Sequence, residues 1–77
     1  MFYTYILHSK SLDRYYVGYT SDLNDRMRRH GKDKNQYTGQ AQDWEIVKCF
    51  EFVSKSDAIR LETKIKKRGI KRFLDSL

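Results

Sequence analysis

Proline is absent from this 77-residue chain, and it has only four glycines and one cysteine. Without proline nothing forces a kink or a cis turn, so the secondary elements should be few and regular. The single cysteine, Cys49, excludes an internal disulfide framework and fits a reducing compartment, so a cytoplasmic location is expected. No apolar run approaches the ~18 residues that a membrane-spanning helix needs, and the first residues lack the apolar stretch of a secretory leader. Cys49 and the two histidines, His8 and His30, have no zinc-type spacing. The length leaves room for one core, so residues 1–77 are expected to form a single domain.

Acidic residues are the minority: 10 Asp and Glu stand against 16 Lys and Arg, a formal net charge of +6. For so small a domain this favours a polyanionic partner, first of all nucleic acid, with an anionic membrane surface as the competing reading. Hydrophobic content of 39% with 14% aromatics is enough for a compact fold and argues against disorder.

Phe2–His8, FYTYILH, is rich in β-branched and aromatic residues and predicts a strand. Tyr15–Thr20, YYVGYT, predicts a second, joined to the first as an antiparallel hairpin. Gly18 inside it signals a bulge or a point of close backbone approach. Ser21 or Asp22 offers an N-cap to a helix over Leu23–His30, ended by Gly31. Residues 32–43 form a polar loop. Ile46–Val53, IVKCFEFV, predicts a third strand with apolar residues on both faces and therefore cover on both sides. Ser54 and Asp57 resemble a capping box opening a helix from about Lys55 to Arg68, with Gly69 as its C′ residue and a short helical piece in Lys71–Leu77. The resulting order β-β-α-β-α(-α) is an α+β layout, a small three-stranded antiparallel sheet flanked by helices.

Glu62 is the most informative single residue. On a helical wheel Ala58, Leu61 and Ile65 define the buried stripe, and Glu62 falls inside the apolar arc. A carboxylate there is costly unless it is paired or binds a metal. An i,i+4 pair with Lys66 is the ordinary alternative, and position alone does not decide between them.

Five tyrosines, Tyr3, Tyr5, Tyr15, Tyr16 and Tyr19, fall on the first two strands. Cross-strand packing accounts for two or three of them. A phenol can also act as a general base if nearby cations stabilise its phenolate, and Arg26 and His30 are one helical turn apart just after these strands. Arg26 borders the buried face beside Leu23. It either snorkels along apolar surface or clamps a phosphate with its planar fork. KIKKRGIKR, Lys64–Arg72, holds six cations in nine residues, and with the net charge it suits a track along a phosphate backbone that carries no sequence information.

Taken together these residues resemble a known family. Tyr3-Thr4-Tyr5, then ten residues, then Tyr16-Val17-Gly18 resembles the paired motif that names the GIY-YIG nucleases. Arg26 follows Gly18 by eight residues, where the family has its arginine, and His30 matches a position often held by His or Tyr. SDAIRLETKIKK resembles the late helix carrying the metal-binding glutamate, which maps to Glu62. QYTG followed by WEIVKCFEF resembles the intervening segment of the small stand-alone members. Five such motifs in order cover nearly the whole chain. Two departures stand out: Tyr3-Thr4 replaces Gly-Ile, and Tyr19 follows Gly18 where repair-type members tend to have a lysine.

The resemblance implies a GIY-YIG-like domain and a metal-dependent endonuclease that hydrolyses DNA phosphodiester bonds. Glu62 would hold one Mg²⁺ or Mn²⁺ ion, and Tyr16 would be the general base with Tyr5 assisting. Arg26 would hold the phosphate and His30 would orient water or substrate. Gly18 would give the DNA backbone room to come close, and Lys64, Lys66, Lys67, Arg68, Lys71 and Arg72 would bind the rest of the backbone. A domain this small has little surface for specificity, which a homodimer or a protein partner could supply. The alternative is a nucleic-acid-binding module of the same fold with little or no catalysis. Glu62 argues against it, since binding alone needs no acid beside a phosphate.

Overall fold

The structure is a computed structural model and describes residues 1–26 and 43–77. The expected helix beyond Arg26, with His30, and most of the polar loop lie outside the described residues.

Three strands form one antiparallel sheet in the order β2-β1-β3: β1 is Phe2–Ser9, β2 Arg14–Thr20 and β3 Trp44–Phe52. A long helix, Lys55–Arg68, and a short one, Ile70–Asp75, follow. The first strand is thus the central one, and its composition suits that place. Thr4, Tyr5, Ile6, Leu7 and Ser9 are all buried.

Register assigns the faces. Tyr5 pairs with Gly18 on β2 and Cys49 on β3, while Thr4 pairs with Tyr19 and Phe50. Alternation along a strand then puts Tyr5, Leu7, Tyr16, Gly18 and Trp44 on one face. Thr4, Ile6, Val17, Tyr19 and Phe50 share the other. Each face has its own apolar cluster. Tyr5, Leu7 and Trp44 are joined by Leu12, Tyr16 and Leu23. Ile6 and Val17 meet Ile65 and Phe73 of the two helices. The register of β1 against β3 slips between Ile6 and Leu7, so Val47 has no partner in the ladder.

The long helix starts where Ser54, in extended backbone, accepts a hydrogen bond from the Ser56 amide. The expected reciprocal box with Asp57 does not form; that carboxylate pairs with Arg60 at 3.5 Å. Ala58 and Ile65 are wholly buried against the sheet, as the apolar stripe requires. Gly69 ends the helix at φ 95°, a conformation L side chains resist, and its amide bonds the Ile65 carbonyl at 2.9 Å. One buried side-chain bond ties this helix to the central strand: Thr4 Oγ1 donates to the Ala58 carbonyl at 2.8 Å.

Among the described residues the expected cover on both sides of β3 is not found. Phe50 and Phe52 are half-buried on the helical side, but Ile46 and Val47 are 42% and 45% exposed and Cys49 is exposed. Over these three no second layer is found among the described residues.

Candidate active site

Local hydrogen bonds aim the segment after β2. Thr20, buried, accepts from the Asp22 amide at 3.1 Å and donates to the Asp22 carbonyl at 3.2 Å. Asp22 then caps a helical turn at residues 23–26: its Oδ1 accepts from the Asp25 amide and its carbonyl from the Arg26 amide, both at 3.1 Å. Of the two expected caps, Asp22 is the one used. The turn leaves Arg26 half-buried at the end of β2.

There a cavity of about 450 Å³ opens, lined by residues that include Tyr5, Tyr16, Gly18, Arg26, Lys55 and Glu62. Its walls come from both faces of the sheet at the outer strand. That is how a helix packed on one face brings its carboxylate to tyrosines on the other. Phe2 and Tyr19 add aromatic surface, and Thr20 and Ser21 complete the wall.

Tyr5 forms the floor and is wholly buried. Its ring centroid lies 6.5 Å from that of half-buried Tyr16, with the planes at 40°. Gly18 explains how two phenols fit there. A Cβ on Gly18 would come within 2.8 Å of the Tyr5 hydroxyl oxygen and 3.1 Å of the Tyr16 ring. The glycine marks a point of close approach and not a bulge. The tyrosine opposite it on β1 fills the space. The Tyr5 hydroxyl is held well above the ordinary tyrosine range, chiefly by burial and next by Tyr16, with Arg26 opposing and Glu62 reinforcing the rise. At neutral pH Tyr5 is therefore a neutral phenol.

Glu62 faces the cavity and also makes the i,i+4 pair that its position on the wheel allowed. Its side chain is only 16% exposed and lines the cavity, and Oε2 also lies 3.5 Å from Lys66 Nζ. The Lys66 side chain is 61% exposed, so the pair is an ordinary solvated i,i+4 contact that leaves the carboxylate facing the cavity. Among the described residues no group of three or more His, Cys, Asp and Glu side chains is gathered to hold a metal. One carboxylate in a polar cavity does not make a zinc cage. It fits a hard divalent cation that keeps water and substrate oxygens in its shell.

Tyr5, Tyr16, Gly18, Arg26 and Glu62 thus meet, as the sequence led one to expect. Lys64, Lys67 and Arg68 do not line this cavity; they lie along a separate open groove with Arg60. Lys71 and Arg72 are exposed on the short helix, and Lys66 reaches the site only through Glu62. His30 lies outside the described residues. Lys55 is the cavity residue that the sequence reading passed over, because an exposed lysine opening a helix looks like ordinary solvated charge.

A family model described as the GIY-YIG catalytic domain matches residues 1–72, almost the whole chain. The chain belongs to the GIY-YIG family. The UPF0213 protein BH0048 of Halalkalibacterium halodurans is 35% identical to it over 65 residues, 83% of this chain and 68% of the relative. A solution NMR structure of the UPF0213 protein BH0048 from Bacillus halodurans matches with a TM-score of 0.60 at 34% identity, covering 99% of this chain and 84% of that one. The α+β fold with its three-stranded antiparallel sheet is accordingly that of a small GIY-YIG protein, and membership supports a function of the nuclease type. No helix among the described residues is long and apolar enough to cross a membrane.

Proposed function

We propose that this GIY-YIG domain is a divalent-metal-dependent endonuclease that hydrolyses DNA phosphodiester bonds. The observation that carries the reading is the shared cavity. A nearly buried carboxylate, an arginine and three tyrosines line it, within a chain of net charge +6.

Glu62 would hold Mg²⁺ or Mn²⁺, which when bound supplies positive charge against the phosphate oxygens and the developing leaving group. Arg26 holds the phosphate through its fork, and its charge is stronger in a recessed site than in open water. Tyr16, half-buried beside Tyr5, would act as the phenolate, its own proton having passed to solvent, and take the proton of the attacking water. The water oxygen bonds to phosphorus, the bond from phosphorus to the leaving oxygen breaks, and solvent protonates that oxygen. Tyr5 acts as a positioning residue. Wholly buried and neutral, it fixes the Tyr16 ring from below and offers its hydroxyl as a hydrogen-bond partner. The basic residues Lys64, Lys66, Lys67, Arg68, Lys71 and Arg72 bind flanking backbone without reading bases.

The test uses duplex, single-stranded, flapped and branched DNA with Mg²⁺ or Mn²⁺, and again with EDTA. Cleavage should need metal, fall about 10²–10⁴-fold in kcat in Tyr16→Phe and disappear in Glu62→Gln. Undiminished cleavage in both variants, or binding without cleavage on every substrate, defeats this reading. The second of these outcomes points to a binding module.

A further inference from the structure

Lys55 is the first residue of the long helix, where the positive end of the helix dipole disfavours a cation. It is exposed, forms no ion pair among the described residues, and lines the cavity with Glu62 and Arg26. The other charged groups near its helix end are engaged differently: Asp57 pairs with Arg60, and Glu62 with Lys66. A lysine placed against the dipole, without an acidic partner and facing a recessed carboxylate, breaks a local rule with no structural return. Such violations concentrate at functional sites.

Spacing gives the residue a task. Lys55 and Glu62 are seven residues apart, two helical turns, so they share one face of the helix about 10 Å apart along its axis. Arg26 approaches the same cavity from the end of β2, off that line. A cation displaced along the axis from the acid is too far to share one phosphate oxygen with it, but a lysine's length brings it to a neighbouring phosphate of a strand lying along the helix.

We propose that Lys55 binds a phosphate flanking the scissile one, so that the cleaved strand runs along the axis of the long helix. This rests on the nuclease reading and makes Lys55 a substrate-positioning residue. Its contact is made equally in the ground and transition states, which raises KM on its loss and leaves kcat in place.

The experiment compares wild type, Lys55→Ala and Lys55→Arg on DNA in which single phosphates on either side of the cleavage point are replaced by neutral methylphosphonates. Lys55→Ala should raise KM about tenfold with kcat within twofold, and Lys55→Arg should recover most of the loss. The slope of log affinity against log salt should fall by about 1 in Lys55→Ala. Neutralising one particular flanking phosphate should weaken wild type but not Lys55→Ala, the non-additivity that marks a direct pair. Thermal unfolding should be unchanged or slightly later in Lys55→Ala, since a cation leaves a helix N-terminus. If wild type cleaves and Lys55→Ala matches it in KM and salt slope, or if no flanking phosphate couples to it, the assignment is overturned while the nuclease reading stands. Wild type that never cleaves overturns both.

Discussion

The hydroxyl oxygen of Tyr5 occupies the space that Gly18 leaves by having no side chain: a Cβ there would lie 2.8 Å from it. The two residues are direct partners across β1 and β2, so the phenol lies over its cross-strand neighbour and cannot swing away without leaving the core. Gly18→Ala should destabilise the domain by about 1–3 kcal/mol through overpacking, read as a lower urea midpoint. Adding Tyr5→Phe removes the closest atom and should return part of that loss. Gly18→Ala as stable as wild type would show that the tyrosine yields freely.

The proton of Tyr5 gives an alkaline signature. Its folded pKa lies above the unfolded value of about 10, so its contribution to stability is fully present below pH ~10 and is lost as pH rises further, because the unfolded chain releases the proton first. Denaturant midpoints measured between about pH 8 and 11 should fall more steeply in wild type than in Tyr5→Phe. The pH profile of cleavage should keep both limbs in Tyr5→Phe. Loss of a limb would make Tyr5 the base.

Acid stability should depend on a residue at the other end of the sheet. Asp43 accepts from the Ser9 hydroxyl at 2.6 Å, the Ser11 amide at 2.8 Å and the Ser11 hydroxyl at 3.0 Å, and so holds the start of β3 to the β1–β2 turn. These bonds, that of Ser9 foremost, hold its carboxyl down at about 2. A depressed folded value means stabilisation that is present above the unfolded pKa near 4 and lost as pH falls toward 2. Asp43→Asn should be less stable at neutral pH and should lose less on acidification than wild type. Parallel acid-unfolding curves for the two proteins would refute this.

The bond from Thr4 to the Ala58 carbonyl anchors the helix one turn before Glu62. Thr4→Val keeps the shape but removes the donor, and the helical ladder still serves the carbonyl. The expected cost is about 1 kcal/mol, measured by chemical denaturation, with cleavage reduced more than the stability loss alone explains. Thr4→Ser should retain the bond and the activity.

Much of this was legible in the sequence because period and punctuation agree. Strand-forming runs at the start, Ser54 and Gly69 around the long helix, and Glu62 inside an apolar arc all pointed to what the structure contains. The parts that were not legible depend on distance along the chain. Nothing near Asp43 announces that Ser9 and Ser11, more than thirty residues earlier, will receive it. Gly18 was readable as a place of close approach, but only the register identifies Tyr5 as what approaches. Apolar residues on both sides of β3 suggested double cover, but among the described residues nothing covers Ile46 and Val47, which are exposed. Lys55 left a faint signal, a cation at the wrong end of a helix dipole, which carries meaning only beside Glu62 and Arg26.

Tyr16 and Glu62 stand at opposite ends of the order in which a ribosome makes this chain. A nascent protein stopped before Lys55 already has its tyrosines and Arg26 but no carboxylate to complete the cavity. The late helix must also dock on a strand made first. On the proposed reading, the cavity that would cut nucleic acid is complete only once this late helix has been made and docked.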